Sequence, residues 1–211
     1  MTDKSNPLNL IISNEGGQGR DVMDAVIADP TRDLRTFCLS TPTDFGMGRV
    51  LPLENLTVNP NEDWFVGVRR DRQVMALLAG QLEHVQLARV IHPRAWVSPW
   101  ATLGQNTFVG AMAVINPQVR LGNFVFVNAG CVLDHDCQIG DGTSLGPGVT
   151  FPGYVSVGAN CAIGAGVVAR PGITIADDCT LGAGAVVVSD LQAPGVYIGN
   201  PARLLTRSDD S

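Results

Sequence analysis

From Ile91 onward a large apolar residue falls at every sixth position: Ile91, Val97, Leu103, Val109, Ile115, Leu121, Val127, Leu133, Ile139, Leu145, Phe151, Val157, Ile163, Ala169, Ile175, Leu181 and Val187. These seventeen hexads follow one another without an insertion and end at Gln192. The residue after the anchor is often glycine, as at Gly104, Gly122, Gly140, Gly146, Gly164 and Gly182. The fifth is small or β-branched, as at Ala95, Thr107, Ala113, Val125, Thr143, Val149 and Val167. A strict six is neither the period of an α-helix, about 3.6 residues, nor that of a flat strand, about two. It is the period of a parallel β-helix built from hexapeptides.

Each hexad then supplies one short strand and one turn. The anchor and the fifth residue face a narrow core, and the glycine after the anchor reads as a bend that tolerates positive φ. Three hexads close one triangular coil, so residues eighteen apart stack about 4.8 Å from each other. Vertical neighbours are found by adding eighteen.

Ahead of the hexads the pattern changes. Leu8 to Ile12 is a short apolar strand, Ser13 to Gly19 a Gly-rich bend, and Arg20 to Ala28 a helix that Asp29-Pro30 ends. Leu34 to Leu39 and Trp64 to Val68 read as strands, a helix follows from about Arg70 to Leu78, and Val85 to Ile91 leads into the first hexad. Strand, Gly-rich bend and helix open a nucleotide-binding βα unit, in which N–H groups at the helix start hold phosphate; a plain tight turn has the same composition. Arg69, Arg70 and Arg72 fall where the next helix should start. Cations there oppose the helix dipole, which a nearby anion would explain; a solvated basic turn is the alternative. The expected fold is mainly β: a small Rossmann-like α/β domain over 1–88, a parallel β-helix over 89–192, and a C-terminal tail over 193–211.

A net charge of −6 and a pI near 4.9 argue against a nucleic-acid or membrane-surface partner. With no apolar run of bilayer length and no charged-then-apolar leader, the expectation is a cytoplasmic protein. Five cysteines, an odd number, fit reduced thiols. Cys131, Cys137, Cys161 and Cys179 take the inward fifth place of their hexads and read as inert core filler. The three histidines, His84, His92 and His135, are not spaced to meet, so no metal site is expected.

One turn of the solenoid looks reactive: Leu133-Asp134-His135-Asp136-Cys137. His135 is third in its hexad and should point outward. Its column is Pro99, Pro117, His135, Gly153 and Pro171, in which it alone offers a functional group. A carboxylate beside an imidazole fixes its tautomer and favours the protonated form, as general-base catalysis needs, although an outward His is also ordinary surface. Gly153, one coil above, lets a ligand approach and has an N–H that could stabilise an oxyanion. Gly146, Gly164 and Gly182, followed by Pro147, Ala165 and Ala183, form a nearly side-chain-free wall on which a long thin cofactor could lie; turn formation alone also explains these glycines.

The hexads, the turn Asp134-His135-Asp136-Cys137-Gln138-Ile139-Gly140 and the tail Gly195-Val196-Tyr197-Ile198-Gly199-Asn200-Pro201-Ala202-Arg203 resemble the hexapeptide-repeat acyltransferases. With its nucleotide-binding-like N-terminus, the chain is most similar to the branch that N-acetylates nucleotide-linked amino sugars for bacterial surface glycans, together with the sialic acid O-acetyltransferases. The resemblance implies a left-handed β-helix, an exception to the right-handed crossover rule, assembled as a homotrimer with an active site in each cleft between neighbouring prisms. It implies His135 as general base, Asp136 as its orienter and the Gly153 amide at the thioester oxygen. Acetyl-CoA, the co-substrate, would lie along Ser144, Gly164, Ala165, Gly182 and Ala183, with Pro201 and Arg203 near its nucleotide end. Asn116 and Asn128 would sit by the amino sugar, and Gly17, Gln18, Gly19 and Arg69 by the nucleotide. The amine would attack acetyl-CoA directly; the alternative is O-acetylation of a sialic acid or another sugar hydroxyl. The chain departs from the family pattern at Gln18, where the first loop usually carries His, at Ser40 and Thr41, where paired acids are usual, and at Gly67-Val68-Arg69, where Gly-Asp-Asn is usual.

Overall fold

The computed structural model describes residues 8–12, 18–29, 34–39, 49–52, 58–59, 61–67, 85 and 87–206. The chain forms two compact units, Met1–Pro93 and Arg94–Ser211.

The first unit is built on a parallel sheet of β1 (Leu8–Ile12), β2 (Leu34–Leu39), β3 (Arg49–Pro52) and β4 (Asp63–Gly67), in the order β3-β2-β1-β4. Leu8, Leu10 and Ile11 are fully buried, as a central parallel strand requires. Its one polar member, Asn9, donates from Nδ2 to Glu62 Oε2 at 2.9 Å and to the Asp63 carbonyl at 3.3 Å. Helix α1 (Gln18–Ile27) buries Val22, Met23, Ala25 and Val26 and turns Arg20, Asp21 and Asp24 to solvent. It begins two residues before its apolar pattern indicates, at Gln18 rather than Arg20. β3 had no sequence signal: it is four residues long, ends in Pro52 and lies at the sheet edge, where proline is tolerated. The helix expected from Arg70 lies outside the described residues.

The second unit is a left-handed β-solenoid of about 6 turns. Two-residue strands stack in three parallel sheets, each paired to the strand eighteen residues away: Val132–Leu133 lies between Val114–Ile115 and Thr150–Phe151. Anchors and fifth residues fill the interior, with Ile115, Leu133, Leu145, Phe151, Val125, Val149 and the cysteines at 131, 137, 161 and 179 all fully buried. The outer faces differ. One carries Thr102, Arg120, Gln138, Ser156 and Thr174, whereas another carries Trp96, Val114, Val132, Thr150, Val168 and Val186.

The glycine expectation needs correction. Positive φ belongs to the fourth residue of the turn, as at Gly148, Gly166, Asp136 (φ 60) and Tyr154 (φ 65), and not to the glycine after the anchor. That glycine is needed because the next coil comes too close. A Cβ on Gly146 would lie 2.6 Å from Ala165 N, and one on Gly164 2.6 Å from Ala183 N.

The repeats end in a hairpin. Gly195–Ile198 adds in parallel to Cys179–Leu181, and Arg203–Leu204 returns antiparallel upon it, covering what would otherwise be an open strand edge.

Candidate active site

Leu133 and Cys137, both fully buried, pin the two ends of the turn between them. The side chains of the intervening residues are thereby exposed or half-buried. His135 Nδ1 lies 2.9 Å from Asp136 Oδ2, with the two side chains 48% and 40% exposed. A carboxylate only accepts, so Nδ1 carries the proton and the Nε2 lone pair remains available as a base. The backbone is held as firmly. Asp134 Oδ1 accepts the His135 N–H at 2.8 Å and an Asn116 Nδ2 hydrogen at 3.2 Å, and the Asp136 N–H reaches the Pro117 carbonyl at 3.2 Å.

One coil above, Gly153 is buried under the imidazole. A Cβ there would meet His135 Cε1 at 2.6 Å and Nε2 at 2.8 Å. The neighbouring Tyr154 donates its N–H to the His135 carbonyl at 3.1 Å, and its ring, 62% exposed, meets the imidazole edge-on with centroids 5.1 Å apart. Tyr154 stands eighteen residues beyond Asp136, so the step that found Gly153 would also have found it.

The turns share a hydrogen-bond logic. The carbonyl of the second residue points inward: those of Gly122, Gly158, Pro152 and Ala176 accept from Thr107 Oγ1, Thr143 Oγ1, Cys137 Sγ and Cys161 Sγ in the coil below. A trans peptide is planar, so the N–H of the third residue points outward. At one corner these N–H groups are closed by side chains above, Gln105 by Asn123, Asn123 by Asp141 and Ala159 by Asp177. At the His135 corner Pro99, Pro117 and Pro171 have none to offer. Among the described residues nothing accepts from the N–H of Gly153, Ala165 or Ala183. Those groups can receive carbonyl oxygens of a ligand.

The remaining candidates are placed unevenly. Ala165 and Ala183 are exposed, and Gly146 and Gly164 are explained by coil stacking without a ligand. Gly182 is not part of a bare wall: a Cβ there would meet Ile198 Cγ2 at 2.8 Å, so the C-terminal hairpin covers it. Arg203 pairs across that hairpin with Ile198, which brings the exposed Pro201 and Arg203 to the same end of the column. Ser144 is a half-buried strand residue whose N–H joins the ladder to Cys161. Asn116 braces Asp134, and Asn128 is buried with its Nδ2 on the Leu145 carbonyl at 2.8 Å, a structural engagement in both cases. In the first unit Gly19 is buried in helix α1, which starts at Gln18; Gly17 and Arg69 lie outside the described residues.

Burial pushes the Cys131 and Cys137 thiols up to about 11, and those of Cys161 and Cys179 upward, so these cysteines are not nucleophiles at neutral pH. Among the described residues no group of three or more His, Cys, Asp or Glu side chains could hold a metal, and no helix is long and apolar enough to cross a membrane.

Two family descriptions match the solenoid: bacterial transferase hexapeptide (six repeats) over 118–153, which contains the His135 turn and Gly153, and hexapeptide repeat of succinyl-transferase over 154–189. No match is found among curated proteins. Among solved structures, the acetyltransferase domain of PglB from Neisseria gonorrhoeae FA1090, in complex with acetyl coenzyme A, is 30% identical with a TM-score of 0.82, over 93% of this chain and 98% of that one. PerB from Caulobacter crescentus, in complex with CoA and GDP-perosamine, is 31% identical with a TM-score of 0.82, over 96% and 98%. WeeI from Acinetobacter baumannii AYE, at 21% identity and a TM-score of 0.76, shares the fold. The chain belongs to the hexapeptide-repeat acyltransferases, in the group of acetyltransferases that includes PglB and PerB.

Proposed function

We propose that this enzyme transfers an acetyl group from acetyl-CoA to the amine of a nucleotide-linked amino sugar in bacterial glycan biosynthesis. The observation that carries the reading is the His135–Asp136 pair, 2.9 Å apart, set against the Gly153 N–H, which has no acceptor among the described residues. His135 Nε2 takes a proton from the attacking amine, and Asp136 stabilises the imidazolium that forms. The amine nitrogen bonds to the thioester carbon, whose oxygen gathers charge beside the Gly153 N–H. The C–S bond then breaks and the proton passes to the leaving thiolate. No side chain is acylated. Ala165 and Ala183 offer outward N–H groups to the amide carbonyls of the pantetheine arm, with Ser144 and Gly164 beside them and Pro201 and Arg203 at the nucleotide end.

The nucleotide belongs to the first unit. In the order β3-β2-β1-β4 the chain changes direction between β1 and β4, and ligands of open parallel sheets bind beyond the carboxyl ends of strands at such a point. Ile12 and Gly67 are paired at those ends. The segments that leave them carry Gly17, Gln18 and Gly19 on one side and Arg69 on the other. The PerB structure, with both CoA and GDP-perosamine bound, supports a nucleotide-linked sugar as the second substrate. O-acetylation of a sugar hydroxyl is the second reading, favoured by Gln18, Ser40 and Thr41 in place of the usual nucleotide-site residues.

The working form in this reading is a homotrimer. The apolar outer face runs from Trp96, 59% exposed, through Val132 to Val168, 39% exposed, and Val132 adjoins the reactive turn. Two further copies seated on such faces would enclose His135 between prisms. Free buried thiols fit a cytoplasmic location. Thiol release from acetyl-CoA across GDP-, UDP- and dTDP-linked amino sugars and free sialic acids tests the assignment. Turnover confined to the nucleotide-linked amines supports it, and turnover only with sugar hydroxyls replaces it with the second reading.

A further inference from the structure

The peptide unit between Pro152 and Gly153 has its two polar ends in different surroundings. Its N–H is the outward group assigned above to the acyl oxygen. Its carbonyl points into the core, where Cys137 Sγ donates to it at 3.2 Å, with the Phe151 carbonyl more distant at 3.8 Å. The thiol therefore ties its own coil to the second residue of the turn above it. Thr143 does the same one corner away, donating from Oγ1 to the Gly158 carbonyl at 2.8 Å and accepting the Cys161 N–H at 3.0 Å. Cys161 in turn donates to the Ala176 carbonyl at 3.2 Å. Cys137 is the member of this set that donates into the turn holding Gly153 and Tyr154, the two residues against the imidazole.

We propose that Cys137 is a positioning residue for acyl transfer: by donating to the Pro152 carbonyl, its thiol fixes the peptide unit whose outward end is the Gly153 N–H. The peptide is planar, so a carbonyl held on the core side fixes the direction of the N–H on the other. Hydrogen bonds in series also polarise one another, so a donor on the carbonyl strengthens the N–H as a donor to developing negative charge. Burial keeps the thiol protonated, and thus a donor, at neutral pH. The proposal rests on the roles of His135 and Gly153 given above. Cys137 touches no reacting atom and acts through the turn it holds.

The test uses Cys137→Val, Cys137→Ser and the matched control Cys161→Val. Valine occupies the fifth place in several hexads, at Val125, Val149 and Val167, so it fills the site without a donor. Serine restores a donor. Cys161 makes the same donation to a turn that does not face His135. The readouts are kcat, the KM for acetyl-CoA, and the melting temperature, on the full chain. Cys137→Val is expected to lower kcat by roughly 10-fold with KM within about twofold, a fraction of the 10²- to 10³-fold that losing a whole oxyanion donor costs. Cys137→Ser should recover most of the loss, and Cys161→Val should leave kcat within about twofold. Unchanged turnover in Cys137→Val, or an equal loss in Cys161→Val, overturns the proposal. A His135→Ala variant separates the two levels: if it retains turnover, the underlying site reading fails, whereas dependence on His135 with indifference to Cys137 removes only the positioning role.

Discussion

The imidazole of His135 lies over the α-carbon of Gly153 so closely that a single added methyl group would come within 2.6 Å of Cε1. The atoms in the way belong to a half-exposed side chain that can swing aside, and Gly153 is not among the residues with positive φ. Gly153→Ala should therefore fold with a melting temperature near that of wild type while displacing the ring from its place. Misplacement of a catalytic group by about 1 Å costs on the order of 10²-fold. The expected outcome is a loss of that size in kcat, read beside an unshifted thermal transition.

Asp136→Asn isolates the role of the carboxylate. The residue sits at φ 60, a conformation that asparagine tolerates nearly as well as aspartate, so the backbone should not move. An amide can donate to Nδ1, which would place the ring proton on Nε2 and remove the base. Steady-state kinetics should show kcat lower by about 10²- to 10⁴-fold with KM little changed.

Stability and activity should come apart at Thr143. Its fully buried hydroxyl satisfies both the Gly158 carbonyl and the Cys161 N–H. Thr143→Val keeps the volume and leaves both groups without that partner, at a cost of about 1–3 kcal/mol. Chemical denaturation should report that loss. Turnover of the folded fraction should be unaffected, because the bridged turn does not touch His135.

The thiols give a pH dependence with a definite sign. Burial raises Cys131 and Cys137 from an ordinary value of 9.0 to about 11, which means the folded chain holds their protons longer than the unfolded one. The stability linked to them is complete below pH 9 and is lost as pH rises from about 9 through 11. The melting temperature should fall across that window, and Cys137→Val should make the fall shallower. At pH 8, alkylation followed by peptide mapping should find Cys131 and Cys137 unmodified in the native protein and fully modified after denaturation.

Much of this architecture was legible because a hexad of anchor and small fifth residue leaves little freedom. The eighteen-residue register that aligns Leu133 with Phe151, and His135 with Gly153, follows from the period alone. What the period does not carry is the distance between coils. The glycines at 146 and 164 look like flexible bends in a sequence, yet the backbone one coil above excludes a Cβ there. Asn128 was placed by the sugar through the family resemblance alone, and the period gives no sign that its amide holds the Leu145 carbonyl. Gly182 looked bare because the return of Ile198 over it depends on the hairpin after the repeats. The donor thiols were read as filler, since cysteine at an inward place is also simply apolar. In the first unit β1, β2 and β4 stood out as apolar runs, whereas β3, a short proline-ended edge strand, did not.

His135 is the proposed base for acetyl transfer to a nucleotide-linked amine. The most direct test of that role is the rate of CoA thiol release with acetyl-CoA and the best nucleotide-linked amino sugar, compared between wild type and a folded His135→Ala variant. A loss of at least about 10²-fold in kcat, with the melting temperature retained, is the predicted result. Turnover by His135→Ala at the wild-type rate would contradict it.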